Sequence, residues 1–103
     1  MNFSQREAMQ WIDQAREAFG RGDRLAARQL AVQAAELAPE LEEVWLMMAS
    51  LAAPRARQEF LRKALEINPQ SQRARDALAL ALEQARKEQD EKAARAAAAA
   101  AAD

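Results

Sequence analysis

The chain has 103 residues, half of them apolar and 30% charged, with a formal net charge of −1. That length bounds it to one domain with a modest core, and so small a charge excludes a strong field for polyanions or anionic membranes. Cysteine and histidine are both absent, which excludes disulfides, thiolate chemistry and the commonest general base and metal ligand.

Alanine, leucine, glutamate, glutamine and arginine dominate, and all favour helices. The β-branched residues are only Ile12, Val32, Val44 and Ile67, so an all-α fold is expected. Residues 1–52 carry five basic and eight acidic groups, and residues 53–103 carry ten and eight, too small an asymmetry to point to nucleic acid. The opening Met1-Asn2-Phe3-Ser4 does not read as a signal peptide, and no apolar run approaches the length of a membrane span. A cytoplasmic location is the default expectation.

Ser4-Gln5-Arg6-Glu7 has the form of a capping box that opens the first helix. Ala8, Trp11, Ile12, Ala15, Ala18 and Phe19 follow at helical spacing. Gly20-Arg21-Gly22 ends that helix, and Asp23 caps the second. The second helix carries Leu25, Ala27, Leu30, Ala31, Ala34 and Leu37 before Pro39. Glu40, Glu42 and Glu43 crowd the start of a third helix, where negative charge suits the dipole. That helix is expected to run through Val44, Trp45, Met48, Ala49 and Ala52.

Pro54 suits the first turn of a fourth helix, which has Phe60, Leu61, Ala64, Leu65 and Ile67 on its apolar face and ends at Asn68-Pro69. Ser71 caps a fifth, with the stripe Ala74, Leu78, Ala81, Leu82 and Ala85. Beyond residue 85 the stripe fades. Glu83–Lys87, Glu88–Lys92 and Glu91–Arg95 then have the spacing and order of helix-supporting pairs, each worth about 0.2–0.5 kcal/mol. Residues 93–102 are almost pure alanine, a segment expected to fray unless it packs on another chain. The organisation expected is a helical domain over residues 1–85 and a charged, then alanine-rich, extension over 86–103.

Residues 27–39 reappear thirty positions later as 57–69: Leu30 answers Phe60, Ala34 answers Ala64, Glu36 answers Glu66, Leu37 answers Ile67 and Pro39 answers Pro69. Trp11 stands thirty-four residues before Trp45. A period of this size marks a helical repeat. Helix pairs with an early Trp, a small residue in the second helix and a closing Pro resemble the tetratricopeptide repeat, whose pattern is W-x2-L-G-x2-Y, then A-x3-F, then P.

In the first pair Trp11, Ala27 and Pro39 fall in place, with Gly22-Asp23 at the turn; Gln14, Ala15, Ala18 and Ala31 replace Leu, Gly, Tyr and Phe. In the second, Trp45, Met48 and Leu61 fit, whereas Ala49 and Ala52 again replace Gly and Tyr, Arg57 takes the small position and Pro69 arrives four residues early. The resemblance covers roughly residues 4–85, as two degenerate pairs and a closing helix. It implies a right-handed solenoid of antiparallel helix hairpins, five helices with a long last one.

Little in the chain carries chemistry. Ser4 and Ser71 sit at helix starts, where capping explains them, and Ser50 is mid-helix without a neighbouring base. The cluster Glu36, Glu40, Glu42 and Glu43 reads as a solvated helix start, and the basic stretch Arg55, Arg57, Arg62, Lys63, Arg73 and Arg75 alternates with Glu59 and Glu66 as a solvated face. Gly20-Arg21-Gly22 is too short for a phosphate loop. No enzyme activity, cofactor, metal site, nucleic-acid partner or membrane partner is expected.

The resemblance implies a concave surface lined by the first helix of each pair. Carried over by position, that surface offers Met9, Ile12, Arg16 and Phe19 from the first helix, Glu43, Leu46, Met47 and Ser50 from the third, and Arg73, Asp76, Leu80 and Glu83 from the fifth; of these Met9, Ile12, Arg16, Phe19, Leu46, Met47, Ser50 and Leu80 are expected to bind the partner. Ile12, Arg16 and Met47 stand where family members that clamp a peptide carboxylate use lysine and asparagine, so that clamp is not expected. Met9, Ile12, Phe19, Leu46, Met47 and Leu80 would make an apolar stripe for a protein or peptide, or pack on one another. The reading is a protein–protein interaction module, an adaptor or scaffold that takes an apolar helix or peptide. The alternative is a structural subunit that self-assembles into homo-oligomers or filaments through its end helices and alanine-rich tail. A third is an accessory domain of a larger enzyme.

Overall fold

The computed structural model describes residues 1–102, all-helical with five α-helices. These are α1 (Phe3–Gly20), α2 (Arg24–Leu37), α3 (Glu42–Ser50), α4 (Pro54–Ile67) and α5 (Gln72–Ala102).

Local chemistry sets most of the ends. Asp23 accepts the Ala26 amide at 3.1 Å, and Ser71 accepts that of Ala74 at 3.2 Å, each closing one donor left open by the first turn. Gly22 has φ +82°, a left-handed conformation that lets the chain reverse between α1 and α2. Pro54 occupies the first turn of α4.

Two ends differ from expectation. α1 begins at Phe3 under Asn2, not under Ser4: Asn2 Oδ1 accepts the Gln5 amide at 2.8 Å and Gln5 Oε1 accepts the Asn2 amide at 3.0 Å. Gln5 also donates to Glu40 at 3.2 Å, a contact across 35 residues. α3 stops at Ser50, before Ala52. Ala53 precedes a proline and is extended (φ −66°, ψ 158°), so the helix cannot run on.

α1 packs on α2, α3 on α4, and α4 on α5, and α3 touches both helices of the first pair. The larger core lies among α1, α2 and α3, with Ala8, Ile12, Ala15, Ala18, Ala27, Ala31, Ala34, Val44, Met47 and Leu51 buried and Trp11 and Trp45 half-buried at its edge. Alanine dominates it, and small side chains let helix axes approach closely. A thinner core joins α3, α4 and α5 through Ala49, Leu61 and Ala81. Trp45 stacks on Phe60 with centroids 6.2 Å apart and donates its indole N–H to the Pro39 carbonyl at 2.7 Å, which fastens α3 to α4 and to the preceding turn.

Leu25 and Leu82, expected on buried faces, are exposed. α5 is a single helix through Ala102, about 46 Å long at 1.5 Å per residue. Beyond Ala85 its described residues are all exposed, and the Glu83–Lys87 pair forms at 3.7 Å. No described helix is long and apolar enough to cross a membrane.

Candidate functional site

Residues of α1, α3, α4 and α5 line an open groove of about 470 Å³. α1 contributes Phe19, α3 contributes Leu46, Ala49 and Ser50, α4 contributes Arg57 and Leu61, and α5 contributes Arg73 and Ala77. Leu61 and Ala49 form a buried floor, and Phe19, 38% exposed, stands at one wall. The geometry follows from helix periodicity: Leu46, Ala49 and Ser50 are three and four residues apart, hence on one face of α3.

Three of the residues expected from sequence therefore come together here: Phe19, Leu46 and Ser50. Arg16 belongs to the same face through its ion pair with Glu43. Met9 is half-buried and lies outside the groove lining, and Leu80 is 54% exposed, one turn beyond Ala77 and also outside it. Ile12 and Met47 are corrections: they are 0% and 6% exposed and sit in the larger core, out of reach of a partner. Each lies where α1 and α3 cross, so the inter-helix contact takes the side chains that a single-helix reading leaves to solvent. The continuous six-residue apolar stripe is thus interrupted.

The rim is polar and mostly spoken for. Arg16 donates to Glu43 at 2.7 Å and to Asp13 at 3.3 Å, and Arg73 bonds the other Glu43 oxygen. That hydrogen bond first, and then the Glu43 charge, hold the Arg73 pKa above its ordinary value. Ser50 donates back to the Leu46 carbonyl at 3.0 Å within its own helix.

Arg57 and Leu61 were not on the surface expected to bind, whereas Arg73 was on it without being counted among the partner-binding residues. Arg57 is the informative one, because its sequence signal was a departure from the tetratricopeptide pattern, which has a small residue at the corresponding place. It donates to the carbonyls of Ala49 (3.0 Å) and Ala52 (2.8 Å) and to Gln84 Oε1 (3.3 Å). The side chain thereby caps the C-terminus of α3, places positive charge at the negative end of its dipole, and ties α5 to the α3–α4 corner.

Glu42 sits beside this face at the α3 start. Asn68 donates to its Oε1 at 3.1 Å. Burial works to raise its pKa, but hydrogen bonding from Ser71 and Asn68 and the charge of Arg73 hold it below the ordinary 4.5. Among the described residues, no hydrogen bond to the buried Oε2 meets full geometric criteria.

No protein-family model matches the chain, and no curated protein matches it either.

Proposed function

We propose that the chain is a non-catalytic protein–protein interaction module, a tetratricopeptide-like solenoid whose groove between α1, α3, α4 and α5 takes an apolar helix or peptide. The observation that carries this reading is the convergence of Phe19 and Leu46 over a floor of Leu61 and Ala49, from three separate helices. Half-exposed apolar side chains held on packed helices give a partner surface at low ordering cost. The order of helix contacts, consecutive pairs with the third helix touching both members of the first pair, supports the solenoid reading. So does the thirty-residue echo between α2 and α4.

The test is affinity capture with Phe19→Ser and Leu46→Asp chains beside the wild type, with circular dichroism to show that helicity persists. Partners retained by both variants would remove the groove from the reading. Phe3→Ser, on the far end of α1 at a position 73% exposed, is the control that should leave capture unchanged.

A second reading, self-assembly into homo-oligomers, is favoured by two exposed features. A second groove of about 580 Å³ opens over Trp11, Ala26 and Leu30 between α1 and α2, and described residues of α5 beyond Ala85 are exposed throughout. Solution mass by light scattering over a concentration series separates the readings. A mass near 11.4 kDa throughout supports the adaptor. A larger mass that falls on deletion of residues 86–103 supports assembly through the tail.

A further inference from the structure

We propose that a cavity on the other side of the α3–α4 corner binds a small apolar carboxylate, with its hydrocarbon part seated on Met48, Leu51 and Phe60 and its carboxylate held by Arg28. The cavity measures about 280 Å³, just below the usual range for drug-sized ligands, so it suits a small molecule and not a protein segment. It exists because of the corner's sequence. α2 and α4 make no substantial contact, and the wall between them is built from Ala52, Ala53 and Ala56, whose side chains are too short to fill it. The floor is firm: Leu51 is buried, and Phe60 is held by its stack on Trp45. Met48 adds an adaptable wall.

Charge selects the ligand. Arg24, one turn before Arg28 on α2, donates to the Leu51 carbonyl at 3.5 Å, and Arg57 reaches the Ala49 and Ala52 carbonyls from α4. The negative end of the α3 dipole answers those two guanidiniums. Arg28 is exposed at the cavity and forms no ion pair with any described carboxylate. An apolar cavity offers water few hydrogen bonds, so an apolar group displaces it readily, and a guanidinium at the mouth matches the bidentate geometry of a carboxylate. An amine of the same shape would meet like charge.

The experiment is titration of the full isotope-labelled chain with sodium octanoate, followed by NMR. Saturable shifts are expected at the Met48 methyl, the Leu51–Ala53 amides and the Phe60 ring. Octylamine, and octanoate with Arg28→Glu, should each bind about ten-fold more weakly or less. Ala56→Leu, a change at an exposed position that fills the cavity, should abolish the shifts while leaving the remaining spectrum in place. Equal binding of octylamine, shifts that never saturate, shifts centred on Phe19 and Leu46, or octanoate binding that survives Ala56→Leu would each overturn the proposal. Of these outcomes only shifts centred on Phe19 and Leu46 bear on the groove reading, which they would favour while overturning this one; the cavity has its own lining residues.

Discussion

Arg16 of α1 donates to Glu43 of α3 at 2.7 Å, and the second oxygen of the same carboxylate is taken by Arg73 of α5. One side chain thus links helices that begin about forty and thirty residues on either side of it in the chain. Both guanidiniums are half-exposed or more, so solvent screens the pairs and they contribute about 1 kcal/mol together. Glu43→Gln should lower the urea midpoint by a corresponding amount. In about 0.5 M salt the gap between wild type and variant should shrink by half or more, because the Debye length becomes comparable to the pair distance.

Arg57 should matter more than its charge suggests. Its guanidinium closes two carbonyls at the end of α3 and reaches Gln84. Arg57→Met keeps the stem and removes the donors, at an expected cost of about 1–3 kcal/mol in chemical denaturation. Arg57→Lys should recover only part of this, because a single ammonium cannot span donors that the planar fork serves together.

Glu42 is expected to make stability acid-sensitive. Its folded-state pKa lies below the ordinary 4.5 of the unfolded chain, so its contribution is fully present above 4.5 and is lost as pH falls through the folded value. Urea midpoints measured downward from pH 6 should fall more steeply below 4.5 in the wild type than in Glu42→Gln. Asn68→Ala should flatten the same limb, since it removes the donor at 3.1 Å.

Ile12 and Leu80 make a direct contrast between core and surface. Ile12 is fully buried among α1, α2 and α3, so Ile12→Ala should cost about 2–5 kcal/mol by differential calorimetry. Leu80→Ala, at a position 54% exposed, should stay within about 0.5 kcal/mol. A loss of partner capture in Ile12→Ala would accordingly be read as unfolding, and not as loss of a contact.

Much of the chain's secondary structure was legible in the residues alone. Asp23, Gly22, Pro54 and Ser71 act within four residues of themselves, so their roles at helix ends can be read locally. Even the misplaced start of α1 was a choice between two overlapping boxes, Asn2–Gln5 and Ser4–Glu7, of which the structure forms the first. Of the groove, Phe19, Leu46 and Ser50 were expected from the tetratricopeptide resemblance, which assigns residues of the first and third helices to one surface.

The sequence by itself determined which segments are helical and where most of them stop, because hydrogen bonding along a helix and capping at its ends are short-range. Only the tertiary structure decided which face of each helix is spent on its neighbours. The packing of α1 against α3 buried Ile12 and Met47, Leu25 of α2 and Leu82 of α5 stayed in solvent, and the corner at Ala53-Pro54 let Arg57 cap the end of α3. Those outcomes depend on how rigid helices from separate stretches of chain meet, and no pattern within a single helix carries that information.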